Sequence, residues 1–378
     1  MCQFESLVAK QFTPAATRRN QQTPRNVRSA FGLLLGAALL VAALTAGSTP
    51  AHAQFTDRTY LTLVNGWTNA PFSTTRSSVE VVTGIVQFKG AIATSGTNTV
   101  PFTLPAAFRP LTDVYVKVDT CNATNARLHI TPAGIVDVEV PIGGLFSNAA
   151  CFTSLDGASF ALRTTGYTNL ALVNGWTGAP FSTSNAQYRE VSGVVHLKGA
   201  VGGGSSSVMF TMPSGVRPAT DVYIPVDLCN AAQGRLHISS GGVVDVEVPS
   251  TGTFSDAQCF TSLDGAWYVP SAGPFKPLTL INGWTNAPFS TSNAAAGNAY
   301  GLVYFKGAIA TSGTNQQPFT LPVAFRPLHD TYVPIDLCNA TNGRLYIQSS
   351  GTVIVMAEGG VFSDAQCFTS LDGASFVQ

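Results

Sequence analysis

Charge is scarce in this sequence. Only 11% of the 378 residues are Asp, Glu, Lys or Arg, about half the share of an average soluble protein. No cluster of Lys or Arg follows Arg28, so the electrostatic footprint that nucleic acid or an anionic membrane requires is missing, and both are set aside as partners. Histidine is rarer still, with five in the whole chain. The one long apolar run, Phe31–Ala46, has 16 residues, which is short for a membrane-spanning helix. Segments of helical period are almost lacking. With 45% hydrophobic residues and abundant Gly, Ser, Thr and Asn, the expected surface is one of small, neutral polar groups.

Residues 1–53 carry Lys10, Arg18, Arg19, Arg25 and Arg28 against Glu5, then the apolar run, then Ala51-His52-Ala53. Basic region, apolar stretch and small-x-small site together read as a signal peptide, with a mature chain starting at Gln54 that is secreted without membrane insertion. The remaining 15 basic and 19 acidic groups leave a net charge of −4.

The mature chain repeats itself. Val64-Asn65-Gly66-Trp67-Thr68 recurs at Val173–Thr177 and, with Ile281 first, at Ile281–Thr285; each copy continues to Ala-Pro-Phe-Ser-Thr. Each copy also closes on Cys-Phe-Thr-Ser-Leu-Asp-Gly-Ala, at Cys151–Ala158, Cys259–Ala266 and Cys367–Ala374. The spacing of 109 and 108 residues between the shared tryptophans is that of whole domains, since solenoid units run about 20–50 residues. Three domains are expected, near residues 55–163, 164–272 and 273–378.

Within the first copy, Val79–Ala93, Val114–Asp119, Arg127–Thr131 and Ile135–Val140 alternate or run apolar, and turn-forming residues separate them. This pattern predicts an all-β chain of three tandem β-sandwich domains, jelly-roll-like. Leu104-Pro105 and Arg109-Pro110 are expected in a loop across one end, because proline is excluded from central strands. Apart from Cys2 in the signal peptide, there are two cysteines per copy: Cys121/Cys151, Cys229/Cys259 and Cys338/Cys367. Pairing within each copy is the expectation, because the spacing repeats with the domain and export supplies an oxidising compartment. Each bond would stabilise its domain by about 3–4 kcal/mol in the chain-entropy picture. Thiolate metal binding lacks four close ligands.

Comparison of the copies tests each candidate chemistry. His129 and His237 are matched by Tyr346, and His196 by Gln87 and Tyr304, so a Ser-His-Asp arrangement loses its base in at least one copy. The acids Asp137/Glu139 and Asp245/Glu247 become Ile354 and Met356; a solvated strand face accounts for them better than acid/base catalysis. Asp119, Asp227 and Asp336 are each followed eight residues later by an arginine, Arg127, Arg235 and Arg344. That spacing favours a cross-strand ion pair within each hairpin over a ligand-binding dyad. The Asp-x-Cys-Asn turn has too few acids for a Ca²⁺ loop, and no metal or cofactor is expected. Asn122 and Asn339 begin glycosylation sequons.

One segment stays open. Trp67 and Phe72, Trp176 and Phe181, and Trp284 and Phe289 recur among hydroxyls and an amide, the mixture that stacks on and hydrogen-bonds a sugar. The same tryptophans would also serve as plugs at the end of each sandwich. The six aromatics are the candidate ligand-binding residues.

Gly84–Ala91 (GIVQFKGA), Leu104–Asp119 (LPAAFRPLTDVYVKVD) and Arg127–Val138 (RLHITPAGIVDV) resemble the head domain at the tip of phage tail fibres and related receptor-binding proteins. Met212–Asp227 and Leu321–Asp336 carry the same Leu/Met-Pro and Arg-Pro pattern in the other copies. The resemblance covers about half of each copy. It implies a jelly-roll-like fold and recognition of a cell-surface glycan or protein. It also suggests that the three copies pack about a pseudo-threefold axis, as tail-fibre heads do between chains. A signal peptide, a cysteine pair and three domains in one chain depart from that family's pattern and favour an exported host protein over a virion part. The functional expectation is a secreted, non-enzymatic adhesin or carbohydrate-binding protein with multivalent avidity. A structural protein of a matrix, surface layer or coat is the alternative.

Overall fold

Local turn chemistry cuts the long apolar stretch of each copy into short strands. In the first copy, β1 (Thr59–Tyr60) and β2 (Trp67–Asn69) precede β3 (Ser78–Val82), β4 (Ile85–Lys89) and β5 (Ala91–Thr94). The expected single strand over Val79–Ala93 is thus three strands. Thr83 and Gly84 both adopt positive φ, 53° and 84°, as a two-residue hairpin turn between twisted strands requires. Gly90 breaks the run again: at φ 92° an added Cβ would lie 2.5 Å from the Thr75 carbonyl oxygen.

The chain continues through β6 (Phe102–Thr103), β7 (Val114–Asp119), β8 (Asn125–Ile130) and β9 (Ile135–Glu139). A six-residue helix, α1 (Phe146–Cys151), leads to β10 (Thr153–Ser154) and β11 (Ser159–Ala161). Three antiparallel sheets result, ordered β1-β3-β4-β11, β10-β5-β2 and β6-β9-β8-β7. The second copy repeats all three, and the third reduces the β6 pairing to a bridge between Thr320 and Thr352. The fold is all-β. This computed structural model describes residues 56–271 and 273–378; the signal peptide expected over residues 1–53 lies outside the described residues.

Each copy builds its own core. Leu61, Val86, Phe88, Phe102, Leu128 and Phe160 belong to the first, and neither of the other two cores borrows a residue from another copy. The Leu-Pro and Arg-Pro motif forms a loop around a single 3₁₀ turn, Ala106–Phe108. Arg109 Nε donates to the Leu104 carbonyl at 2.9 Å, and Arg217 and Arg326 repeat the brace on Met212 and Leu321. The disulfides Cys121–Cys151, Cys229–Cys259 and Cys338–Cys367 join the turn after β7 to the end of the short helix in each copy.

The copies are joined in a ring. Arg127 Nη1 donates to Asp227 Oδ2 of the second copy at 2.9 Å, Arg235 to Asp336 of the third at 3.0 Å, and Arg344 back to Asp119 of the first at 3.1 Å. The ion pair expected within each hairpin is therefore made between copies. Strand register gives the reason: Arg127 lies opposite Lys117 and Asp119 opposite Asn125, which leaves the guanidinium free to reach the neighbouring Cys-Asn-Ala turn. Each arginine also donates to the carbonyl following that aspartate, at Leu228, Leu337 and Thr120.

The repeated Cys-Phe-Thr-Ser-Leu-Asp-Gly-Ala segment docks across the same three boundaries in the opposite sense, each copy onto the one whose arginine it receives. Ser154, Ser262 and Ser370 donate through Oγ to the carbonyls of Tyr332, Tyr115 and Tyr223, each at 2.6 Å. Its aspartate turns inward instead, accepting from Gly90, Gly199 or Gly307 N at 3.0 Å within its own copy. β7 and its counterparts Val222–Asp227 and Thr331–Asp336 touch one another at the centre. There Lys117 replaces what is proline in the other copies, Pro225 and Pro334. Its ammonium bonds Asn125 of its own copy and Gln233 of the next. A further apolar cluster, including Val82, Val194, Trp267, Tyr304 and Val377, draws on all three copies.

Removing one member of a buried ion pair strands its partner, which costs about 3–5 kcal/mol. Arg235→Met, which leaves Asp336 without its guanidinium, is expected to lower urea-unfolding stability by that amount. A loss below about 1 kcal/mol would mean that the ring behaves like surface ion pairs.

Candidate functional site

The copy boundaries contain three equivalent clefts. One is lined by Tyr115 and Arg127 of the first copy with Phe181, Asn230 and Phe260 of the second. The next places Tyr223 and Arg235 against Phe289, Asn339 and Phe368. The third places Tyr332 and Arg344 against Phe72, Asn122 and Phe152. Their open volumes are about 270, 320 and 530 Å³. A disulfide cysteine lines each one, so the wall carrying the asparagine is covalently tied to the helix behind it.

The six candidate aromatics separate into two groups. Trp67, Trp176 and Trp284 are buried in the cores. Their Nε1 groups donate to the carbonyls of Asn98, Ser206 and Asn315, and their rings meet Phe146, Phe254 and Phe362 edge-on. Burial leaves no ring face for a ligand, so of the two roles expected for these tryptophans the structure gives that of core plug and not that of stacking platform. Phe72, Phe181 and Phe289 are 57–59% exposed and form one wall of the clefts.

These phenylalanines stand on a strained backbone. Ala70, Phe72 and Ser73 all have φ between 54° and 62°, and the same three positions of the other copies match them. Such conformations are costly for residues with a Cβ, and they persist only where the surroundings impose them. Thr74 contributes by donating Oγ1 to the Pro71 carbonyl at 2.7 Å. The Phe72 ring lies edge-on to Phe152 at 5.6 Å, and Phe152 in turn edge-on to Tyr332 at 4.9 Å. Phe181–Phe260–Tyr115 and Phe289–Phe368–Tyr223 repeat the chain of rings.

The cleft tyrosines are held on both sides. Arg127, Arg235 and Arg344 lie over Tyr115, Tyr223 and Tyr332 at 4.7–5.0 Å, a favourable cation–π arrangement. His129, His237 and Tyr346 stack on the same tyrosines at 4.4–4.6 Å. The histidines that differ between copies therefore share a packing position that a tyrosine fills equally well. Burial pushes the Tyr115 hydroxyl up to about 12. Burial also pushes Asp119, Asp227 and Asp336 up to about 7 against the opposing pull of the facing arginines. Lys117 is driven down to about 8 by burial, while Glu358 and the three ring aspartates resist the change.

The strand acids are more engaged than a solvated face implies. Glu139 and Glu247 each accept from the Nε of Arg127 and Arg235 at 2.7 Å. Asp245 and Glu247 also approach His237 Nδ1, at 3.2 and 3.9 Å, the only metal-like grouping among the described residues. The Arg235 guanidinium on Glu247 competes with any cation there, and the third copy has Tyr346, Ile354 and Met356 instead. Asn122 and Asn339 are exposed at the cleft mouths.

Two of these roles had a signal in the sequence that spacing did not resolve. The Ser and Asp repeated within the closing segment mark inter-copy docking and a glycine bend. The Tyr at the second position of the central strand recurs in every copy, yet its place at a boundary depends on how the copies associate.

His196 is buried opposite Trp267, and desolvation pushes its imidazole down to about 3 from an ordinary 6.5. Between these values the unfolded chain binds a proton that the folded chain refuses, so this contribution is complete above 6.5 and lost as the pH falls. His196→Gln, which installs the residue of the first copy, should remove that dependence. Relative to the variant, the wild type is expected to lose about 2 kcal/mol of unfolding free energy between pH 7 and pH 5; equal pH profiles would show that His196 is solvated.

Comparison with known proteins finds no match for this chain: no family model, no curated protein and no solved structure.

Proposed function

We propose that the protein is a secreted, non-enzymatic binding protein that recognises a cell-surface glycan through the three boundary clefts. The observation that carries this reading is the triplicate display of a half-exposed phenylalanine on a strained, braced loop, beside a tyrosine, an asparagine and an arginine. Aromatic faces next to fixed amide and hydroxyl groups suit a sugar ring, which has apolar faces and polar edges. Backbone strain kept at the same three residues of every copy is the kind of feature that accompanies ligand sites.

Three clefts in one ring favour avidity, because a second contact to the same surface becomes intramolecular. The resemblance of the Leu-Pro and Arg-Pro segments to tail-fibre heads supports a receptor-binding role. Three disulfides are compatible with export. None of the described helices is long and apolar enough to cross a membrane.

A glycan array probed with residues 54–378 tests the reading. Replacing Phe72, Phe181 and Phe289 together by Ala should leave the circular dichroism spectrum and melting curve intact, since these rings are more than half exposed. Affinity is expected to fall by about tenfold per site, the loss of one stacking contact. Unchanged binding by the triple variant, or no glycan binding together with self-assembly into sheets or fibres, would overturn it in favour of a structural role.

A further inference from the structure

The three clefts are equivalent in outline and unequal in charge. In the first two copies the guanidinium is fully occupied: Nη1 serves the neighbouring aspartate, while Nε and Nη2 both donate to Glu139 or Glu247 Oε2. In the third copy the residue opposite Arg344 is Met356. Arg344 Nη1 still reaches Asp119 and the Thr120 carbonyl. Its Nε, although buried, has no acceptor, and no protein group accepts from its Nη2 among the described residues. Glu358, the acid of this copy near the ring, is set against Lys117.

A buried guanidinium edge without an acceptor is costly. Arg344 is only 8% exposed, and it lines the largest of the three clefts together with Phe72, Asn122 and Tyr332. Planar, two-point donors of this kind match a carboxylate. We propose that the cleft between the third and first copies is a site for a carboxylate-bearing sugar of the uronic acid class. The ligand carboxylate accepts from Nη2 and, with the half-buried Met356 side chain turned aside, from Nε, the donors that Glu139 and Glu247 engage in the other copies, and its ring lies against Phe72. This rests on the reading of the clefts as sugar sites and assigns one of them a distinct ligand.

Calorimetric titration of the mature chain with methyl glucuronide and with methyl glucoside tests it. The wild type is expected to bind one equivalent of the glucuronide about tenfold more tightly than the glucoside, the effect of one charge-assisted pair. Met356→Glu supplies the missing acceptor from within the chain, so it should abolish that preference without lowering the unfolding midpoint. Glu139→Met with Glu247→Met should raise the number of glucuronide sites from one towards three. A preference that survives Met356→Glu, or site numbers unchanged in the double variant, overturns the proposal. If both sugars bind equally and both are lost in the triple phenylalanine variant, the acid site falls while the cleft reading stands. If neither sugar binds, both fall.

Discussion

The buried contact between an arginine of one copy and an aspartate of the next is the constraint on which the rest of this structure depends. Its acceptors are fully buried, at 0–1% exposure, where an unpaired carboxylate would be severely destabilising. The contact is directional, first to second, second to third and third to first, so it is satisfied for all copies only when the ring closes. A linear string would leave Asp119 and Arg344 without partners. The serine hydroxyls answer it across the same boundaries in the reverse direction, onto the tyrosine carbonyls, and the two contacts together bring the phenylalanine loop of one copy to the tyrosine and arginine of another.

Three repeats in one chain gain a freedom that three identical chains lack, since each position can differ between copies while the frame is kept. Lys117 uses it at the centre, where one ammonium answers several carboxylates and proline stands at the two matching positions. The acceptor of the ring arginine uses it at the boundary, where glutamate, glutamate and methionine give the same cleft different electrostatics. Histidine and tyrosine exchange at the stacking position without consequence for the ring behind them, because either presents a flat face to the cleft tyrosine.

Much of the architecture was legible before any coordinates. The alternating strands, the turn-forming residues between them and the paired cysteines each report a local preference, and local preferences survive folding. The breaks within Val79–Ala93 were not legible: the apolar run masks the Thr83-Gly84 turn between β3 and β4, and the need for Gly90 between β4 and β5 comes from the approach of a carbonyl fifteen residues earlier in the chain. The ring pairs are hidden from the sequence for a related reason. Eight residues between Asp119 and Arg127 fit a hairpin contact, and nothing in one copy reveals that a second copy offers a better-placed carboxylate.

The aromatic segment divides along the same line. Sequence alone established that a tryptophan and a phenylalanine recur with turn-forming neighbours, and that the fold is β-rich, triplicated and disulfide-linked. Those properties follow from composition, period and spacing, which are properties of the chain. Only the tertiary structure decided that Trp67 goes into a core while Phe72 faces a cleft, and that this cleft belongs to two copies at once. Burial and partnership are relations between distant segments, fixed when a backbone with left-handed residues at Ala70, Phe72 and Ser73 turns one ring inward and the next outward.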